Sequence, residues 1–236
     1  MIDQHLMPTR KIIINGITLC ITLLVISLLI PHLIYSYISH SFSNLTGIFF
    51  FSRLLIWLCL LIILLYSVKV EKHSILLFKE VKYSVGFYIL SVVSLIVILL
   101  IMSSTLGVLL KLSGLYSGKS KRFFQLLNIF NNNRWLMVFT ALTAGVVEEL
   151  LFRGYLLSRL QFIFNNKYLP VVISSLLFGL IHFGYGTVQN VVVPTFIGFV
   201  FALYYNRYKN IKVLIISHFL YDLILVLTAL HYYFPK

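Results

Sequence analysis

The stretch VGFYILSVVSLIVILLIMSSTLGVLL, residues 85–110, contains no charged side chain. An α-helix needs about 20 apolar residues to cross the roughly 30 Å hydrocarbon core of a bilayer. This stretch exceeds that length, so it predicts a transmembrane helix. The whole chain has the same character, because 60% of its 236 residues are hydrophobic and only 11% are charged, against roughly 25% charged residues in an average soluble domain.

Six further apolar runs occur along the chain. They are Ile12–Tyr35, Ile48–Val68, Trp135–Leu157, Leu169–Phe183, Val191–Tyr205 and Ile211–Leu230. With the first stretch they predict an all-α, polytopic transmembrane helix bundle of seven spans. Because the two runs between residues 169 and 205 are short and the one at 85–110 is long, eight spans is the alternative.

The net charge of +13 would indicate a nucleic-acid partner in a soluble protein. Here the cations collect between the apolar runs, where they orient helices and contact anionic lipid. We therefore expect membrane lipids, and no nucleic acid, as partners. The basic residues before Ile12, within 69–82, around 159–167 and at 207–212 predict a cytoplasmic N-terminus, whereas those within 111–134 favour the opposite orientation.

The segment 111–134 also contains apolar residues at helical spacing beside Lys121 and Arg122. This pattern is typical of a short helix in the headgroup region, which Asn131–Asn133 would end. We predict N-terminal transmembrane helices and this interfacial segment over residues 1–134, and a helical core that carries the chemistry over residues 135–236. The small extramembrane mass and the many Ile, Lys, Asn and Tyr residues favour a bacterial cell membrane as the location.

Three of the six acidic residues fall inside predicted spans. Glu148 and Glu149 lie in AGVVEELLFRGYL (residues 144–156), followed by Arg153, and Asp222 lies in the last run. Each charge at a helix centre costs roughly 2.5–3.5 kcal/mol on insertion scales. Glu149 and Arg153 are spaced i, i+4 and share a face, while Glu148 is turned about 100° away. An ion pair that fixes helix register explains Glu149 but leaves Glu148 unexplained.

Two other runs each carry a polar or aromatic pair one helical turn apart, Phe178 with His182 and His218 with Asp222. Three helices therefore offer such side chains to a common interior. Imidazoles and carboxylates together activate water, either on a divalent metal or through a glutamate that acts as general base. The pattern favours hydrolysis.

The segments EELLFR, FGLIH and HFLYD, which begin at Glu148, Phe178 and His218, match the motifs EExxxR, FxxxH and HxxxN/D in order. Over roughly residues 141–230 the chain resembles the CPBP intramembrane protease family. This family comprises type II CAAX prenyl endopeptidases and Abi-like bacterial relatives linked to bacteriocin processing or self-immunity. The resemblance implies an intramembrane endopeptidase that acts on a membrane-associated peptide or a lipid-modified protein.

The same resemblance implies roles for the motif residues. Glu148 and Glu149 would contain the water-activating base, Arg153 would hold a glutamate in place, and His182 would contribute to the water or metal site. His218 and Asp222 would bind a metal or stabilise the oxyanion. The implied ligands of a divalent metal, such as zinc, are Glu149, His182, His218 and Asp222, and a metal-free glutamate mechanism is the alternative.

One departure concerns position 222, where this chain has Asp and the eukaryotic branch of the family typically has Asn. The carboxylate favours metal binding over an uncharged oxyanion donor. The competing functions are a bacteriocin self-immunity or binding protein of the same fold without catalysis and, less consistent with the absence of inverted repeats, a proton-coupled transporter.

Overall fold

The computed structural model describes residues 8–37, 42–164 and 166–235, and within these ranges the chain is helical and has no strand. This confirms the all-α prediction. The α-helices are α1 (Arg10–Tyr37), α2 (Phe42–Tyr66), α3 (Val85–Leu112), α4 (Lys121–Asn132), α5 (Arg134–Thr143), α6 (Ser158–Ile163), α7 (Leu169–Leu180), α8 (Gln189–Tyr208) and α9 (Ile211–Tyr233).

Five helices in the described ranges are long and apolar enough to cross a membrane. They are Arg10–Pro31, Leu45–Glu71, Val85–Leu112, Arg134–Ile163 and Ile211–Tyr233. The two remaining predicted runs fall on the shorter apolar helix Leu169–Tyr185 and on α8. The predicted seven runs are therefore all helical, but α7 is too short for a full crossing.

The helix Arg134–Ile163, here called the central helix, combines α5, a π-helical region and α6. Its backbone is π-helical at Ala144–Glu148 and at Leu150–Leu157. A Cβ atom on Gly145 would lie 2.7 Å from the backbone oxygen of Ile215. The absence of a side chain at Gly145 thus lets α9 approach the central helix directly.

Helices α7 and α8 approach each other closely in the same way. A Cβ on Gly179 would lie 2.7 Å from the carbonyl oxygen of Val191, and one on Gly198 would lie 3.1 Å from Cα of Ser175. These contacts hold α7 and α8 together, and Phe178 of α7 and Phe201 of α8 are both buried.

The short helix predicted in the segment 111–134 is confirmed as α4. Its first turn is capped by Ser120, whose Oγ accepts a hydrogen bond from the backbone N–H of Phe123 at 3.2 Å. Leu127 and Phe130 on its apolar face are buried against Leu136 and Leu230. The helix ends at Asn132, within the asparagine run that predicted its end.

Candidate active site

The central helix holds Glu148 and Glu149 where its two π-helical stretches meet. A π-helix forms i→i+5 hydrogen bonds, and short π segments are frequent at functional sites. The prediction placed the two carboxylates about 100° apart on an α-helix. The backbone here is π-helical rather than α-helical. The two carboxylates nevertheless point in different directions, because Glu148 lines a cavity and Glu149 lies behind its wall.

Glu149 is fully buried and is held by two donors on one oxygen. Its Oε1 accepts a hydrogen bond from Arg153 Nη1 and one from His218 Nδ1, both at 2.8 Å. The i, i+4 pair predicted from the sequence is therefore confirmed, and α9 adds a second partner. Its Oε2 is buried and has no hydrogen-bond partner in the described chain.

Arg153 is held from three sides. Besides the ion pair, its Nη2 donates to the carbonyl oxygen of Gly198 at 3.3 Å, and its guanidinium lies over the rings of Phe178 and Phe201 at 4.4 and 5.4 Å. A guanidinium over an aromatic face gains cation–π attraction, which is larger when water is excluded. Arg153 therefore fixes Glu149 against α7 and α8.

His182 lies in the turn after α7, two residues beyond its end, and faces the same cavity as Glu148. Its Nδ1 lies 2.8 Å from the carbonyl oxygen of Phe178. A carbonyl oxygen only accepts, so Nδ1 carries the proton and Nε2 of the neutral ring is left as an acceptor. The ring also stacks on Tyr185.

His218 lies between two carboxylates. Its Nδ1 binds Glu149, and its Nε2 lies 3.7 Å from Oδ2 of Asp222. That second distance is too long for a hydrogen bond. Nε2 of His218 is thus available to another group in the cavity, which Asp222 also lines.

The cavity has a volume of about 740 Å³. Four of the six predicted site residues line it, namely Glu148, His182, His218 and Asp222. The other two, Glu149 and Arg153, are its buried support. The convergence of three helices that the sequence predicted is present in the structure.

Sequence reasoning missed residues on the N-terminal side of this cavity. The chemistry was predicted to lie within residues 135–236, and no residue before 134 was given a role in it. Instead Arg53 of α2, Ser103 of α3 and Lys119 line the cavity. A basic residue inside an apolar run, as at Arg53, was the available signal. The predicted division at residue 134 stays a prediction, although both parts line this cavity.

A second buried polar cluster lies outside the cavity. Arg159 is fully buried and donates to Oε2 of Glu71 at 2.7 Å, and the hydroxyl of Tyr155 donates to Oε1 at 2.7 Å. Arg159 was counted among the basic residues that predict the orientation of the chain, but its side chain is enclosed by the bundle. The pair joins the central helix to the segment that follows α2.

The predicted metal ligands do not come together as a metal group. Throughout the described ranges, no three His, Cys, Asp or Glu side chains are arranged to hold a metal ion. Oε1 of Glu149 already binds Arg153 and His218, and Nδ1 of His182 binds a carbonyl oxygen. The metal assignment therefore stays a prediction from the resemblance.

Long apolar helices around a cavity with two carboxylates and two imidazoles define an integral membrane protein. Side chains of these types can activate water. Residues 130–224 match the family model described as Type II CAAX prenyl endopeptidase Rce1-like. All six predicted site residues lie within this segment, and the match confirms the resemblance to the CPBP intramembrane protease family. No curated protein and no solved structure matches the chain.

Proposed function

We propose that this protein is an intramembrane endopeptidase in which Glu148 activates the attacking water. The observation that carries the proposal is the different environment of the two adjacent glutamates. Glu148 lines the cavity, whereas Glu149 lies behind its wall and its Oε1 is bound by Arg153 and His218. A base needs a free oxygen within reach of water, so Glu148 fits this role and Glu149 fits a positioning role.

The chemistry follows from these positions. Glu148 takes a proton from water, and the water oxygen bonds to the carbonyl carbon of the scissile peptide. Nε2 of His182 accepts a hydrogen bond from the same water, and an N–H at Nε2 of His218 donates a hydrogen bond to the oxyanion. When the carbon–nitrogen bond breaks, Glu148 returns its proton to the leaving amine.

The substrate class is a membrane-associated peptide or a lipid-modified protein. The matched family model is described as a CAAX prenyl endopeptidase, so a prenylated peptide is the first substrate to test. The cavity wall combines apolar rings, such as Phe178 and Phe123, with polar groups near Glu148. An amphiphilic chain fits such a wall, since its apolar part contacts the rings.

Cleavage of matched prenylated and unprenylated peptides by purified protein in liposomes tests the proposal. Glu148→Gln should lower kcat by at least about 100-fold, the usual contribution of a general base. Glu80→Gln is the matched control, because Glu80 lies outside the cavity and pairs with Lys212 at 3.6 Å. Turnover that survives in Glu148→Gln, or no cleavage of any peptide by the wild type, contradicts the proposal. A parallel series with a chelator tests the metal prediction.

The proposed orientation places the N-terminus in the cytoplasm of a bacterial cell. Lys111 in the last turn of α3 and Lys119 after that helix line the cavity, at the opposite end of α3 from the basic segment 69–82. In the proposed orientation these two lysines lie toward the face of the membrane opposite the cytoplasm. In Ser117→Cys and Lys212→Cys variants, an impermeant maleimide added to intact cells should label only position 117, and labelling of position 212 alone would reverse the orientation.

A further inference from the structure

Arg53 is the one cation in the described part of α2, and its guanidinium lacks an acidic partner. Its Nε donates to Oγ of Ser52 at 3.3 Å, and the guanidinium lies 5.0 Å from the ring centroid of Phe49. No described carboxylate lies within ion-pair distance of it. An unpaired charge within a membrane span is costly, and such residues commonly serve binding or transport.

The position of Arg53 relative to Glu148 follows from a neighbouring contact. Four residues further along α2, the indole N–H of Trp57 donates to Oγ1 of Thr143 at 3.0 Å. Arg53 is one turn closer to the start of α2, and Glu148 is one turn beyond Thr143 on the central helix. The two side chains thus line one cavity at different depths, with about 10 Å of helix rise between them.

The cavity wall carries charges of both signs. Glu148 and Asp222 are its acidic residues, and Arg53, Lys111 and Lys119 are its basic ones. Lys119 lies 5.0 Å from the ring centroid of Phe123, and none of these three cations forms an ion pair with a described acidic residue. These cations of the wall are therefore suited to an anionic group of the molecule whose reacting bond reaches Glu148.

We infer that Arg53 is a specificity-determining residue that binds a carboxylate of the substrate peptide. The inference rests on the proposed endopeptidase function and adds the chemistry of the substrate. A guanidinium presents two parallel N–H groups to the two oxygens of a carboxylate, a geometry that a lysine cannot reproduce. The carboxylate is either the free C-terminus of the peptide or an acidic side chain.

The alternative is that Arg53 only extends toward the headgroups along Phe49. Both explanations allow a loss of stability when Arg53 is replaced. Only the binding role makes the loss depend on the charge of the substrate. A comparison of charged and neutral peptides therefore separates them.

The experiment uses full-length protein in phosphatidylcholine liposomes and two matched peptide pairs, a C-terminal acid with its amide and an internal Glu peptide with its Gln form. Arg53→Met should raise KM for the recognised acid about 10- to 100-fold, the range for hydrogen bonds to charged groups, and leave kcat and the neutral partner within about twofold. Arg53→Lys should recover part of the loss. Arg10→Met, an exposed arginine outside the cavity, is the matched control. Whichever pair shows the effect identifies the source of the carboxylate.

Binding of the same peptides to Glu148→Gln, with and without Arg53→Met, separates the two proposals. A charge preference in binding that Arg53→Met removes supports the inference even if no peptide is cleaved. The inference is overturned if the ratio of the Kd for the acid to the Kd for the neutral peptide is the same with and without Arg53→Met. It is also overturned if no peptide binds. A repeat with phosphatidylglycerol completes the test, because loss of the preference through competition would assign Arg53 to a lipid phosphate instead.

Discussion

His218 and Arg153 donate to the same oxygen of Glu149, each at 2.8 Å, from two different helices. Glu149 therefore joins α9 to the central helix and sets the direction of the His218 ring. Its neighbour Glu148 makes neither contact and lines the cavity. This division of roles between adjacent glutamates is the basis of the proposed mechanism.

Removal of Arg153 should destabilise the fold. Arg153→Met leaves the fully buried Glu149 without its cation, and loss of one partner of a buried pair costs about 3–5 kcal/mol. The free energy of unfolding in detergent micelles measures the change. Glu149→Gln with Arg153→Met should recover part of the loss, because no uncompensated charge remains. A double variant as unstable as the sum of the single variants would show that the two charges are not coupled.

Asp222 should be replaceable if it does not bind a metal. Its Oδ2 lies 3.7 Å from Nε2 of His218 and its side chain is 33% exposed, so the amide of Asp222→Asn removes no hydrogen bond from the histidine. We expect peptide cleavage within about tenfold of the wild type, less than the loss of a general base. The measurement is kcat with and without chelator. Loss of activity in Asp222→Asn together with chelator sensitivity would support the metal prediction.

The hydroxyl of Tyr155 should stabilise the buried Glu71. Tyr155→Phe removes the 2.7 Å hydrogen bond to Oε1, and hydrogen bonds to charged groups contribute about 1.5–3 kcal/mol. Tyr205→Phe is the matched control, since the hydroxyl of Tyr205 is buried without a partner in the described chain and its removal should be neutral or stabilising. Thermal unfolding of both variants tests this, and equal melting temperatures would contradict it.

Gly145 should not tolerate a side chain. The added Cβ of Gly145→Ala would lie 2.7 Å from a backbone oxygen of α9, and overpacking of this kind costs about 1–3 kcal/mol. Gly86→Ala is the control, because a Cβ there meets no atom within 4 Å and alanine favours a helix by about 1 kcal/mol. The free energies of unfolding should move in opposite directions. Since α9 carries His218, Gly145→Ala should also lower peptide cleavage.

Local spacing explains what the sequence could predict. The apolar runs predict the helices, and the i, i+4 spacing predicts the contact between Glu149 and Arg153. The pairing of Glu71 with Arg159 joins residues 88 positions apart, and it depends on how the segment after α2 packs, which no local period encodes. The position of Arg53 on the cavity wall likewise depends on how α2 packs against the other helices. The π-helical winding is a further local feature that the α-helical period does not predict.

Lys209 should make stability depend on pH. It follows α8 with a left-handed backbone (φ 48°), and its Nζ lies 3.7 Å from the ring centroid of Phe78. Burial lowers the pKa of Lys209 from 10.5 to about 8. Between these values the unfolded chain binds the proton and the folded chain releases it, so this residue makes stability rise with pH from about 8 to 10.5 and is least favourable below pH 8. The free energy of unfolding of Lys209→Met minus that of the wild type should therefore fall across this window. Lys212→Met, at an exposed lysine, is the control. If the free energies of unfolding of Lys209→Met and the wild type change in parallel with pH, Lys209 keeps its ordinary pKa.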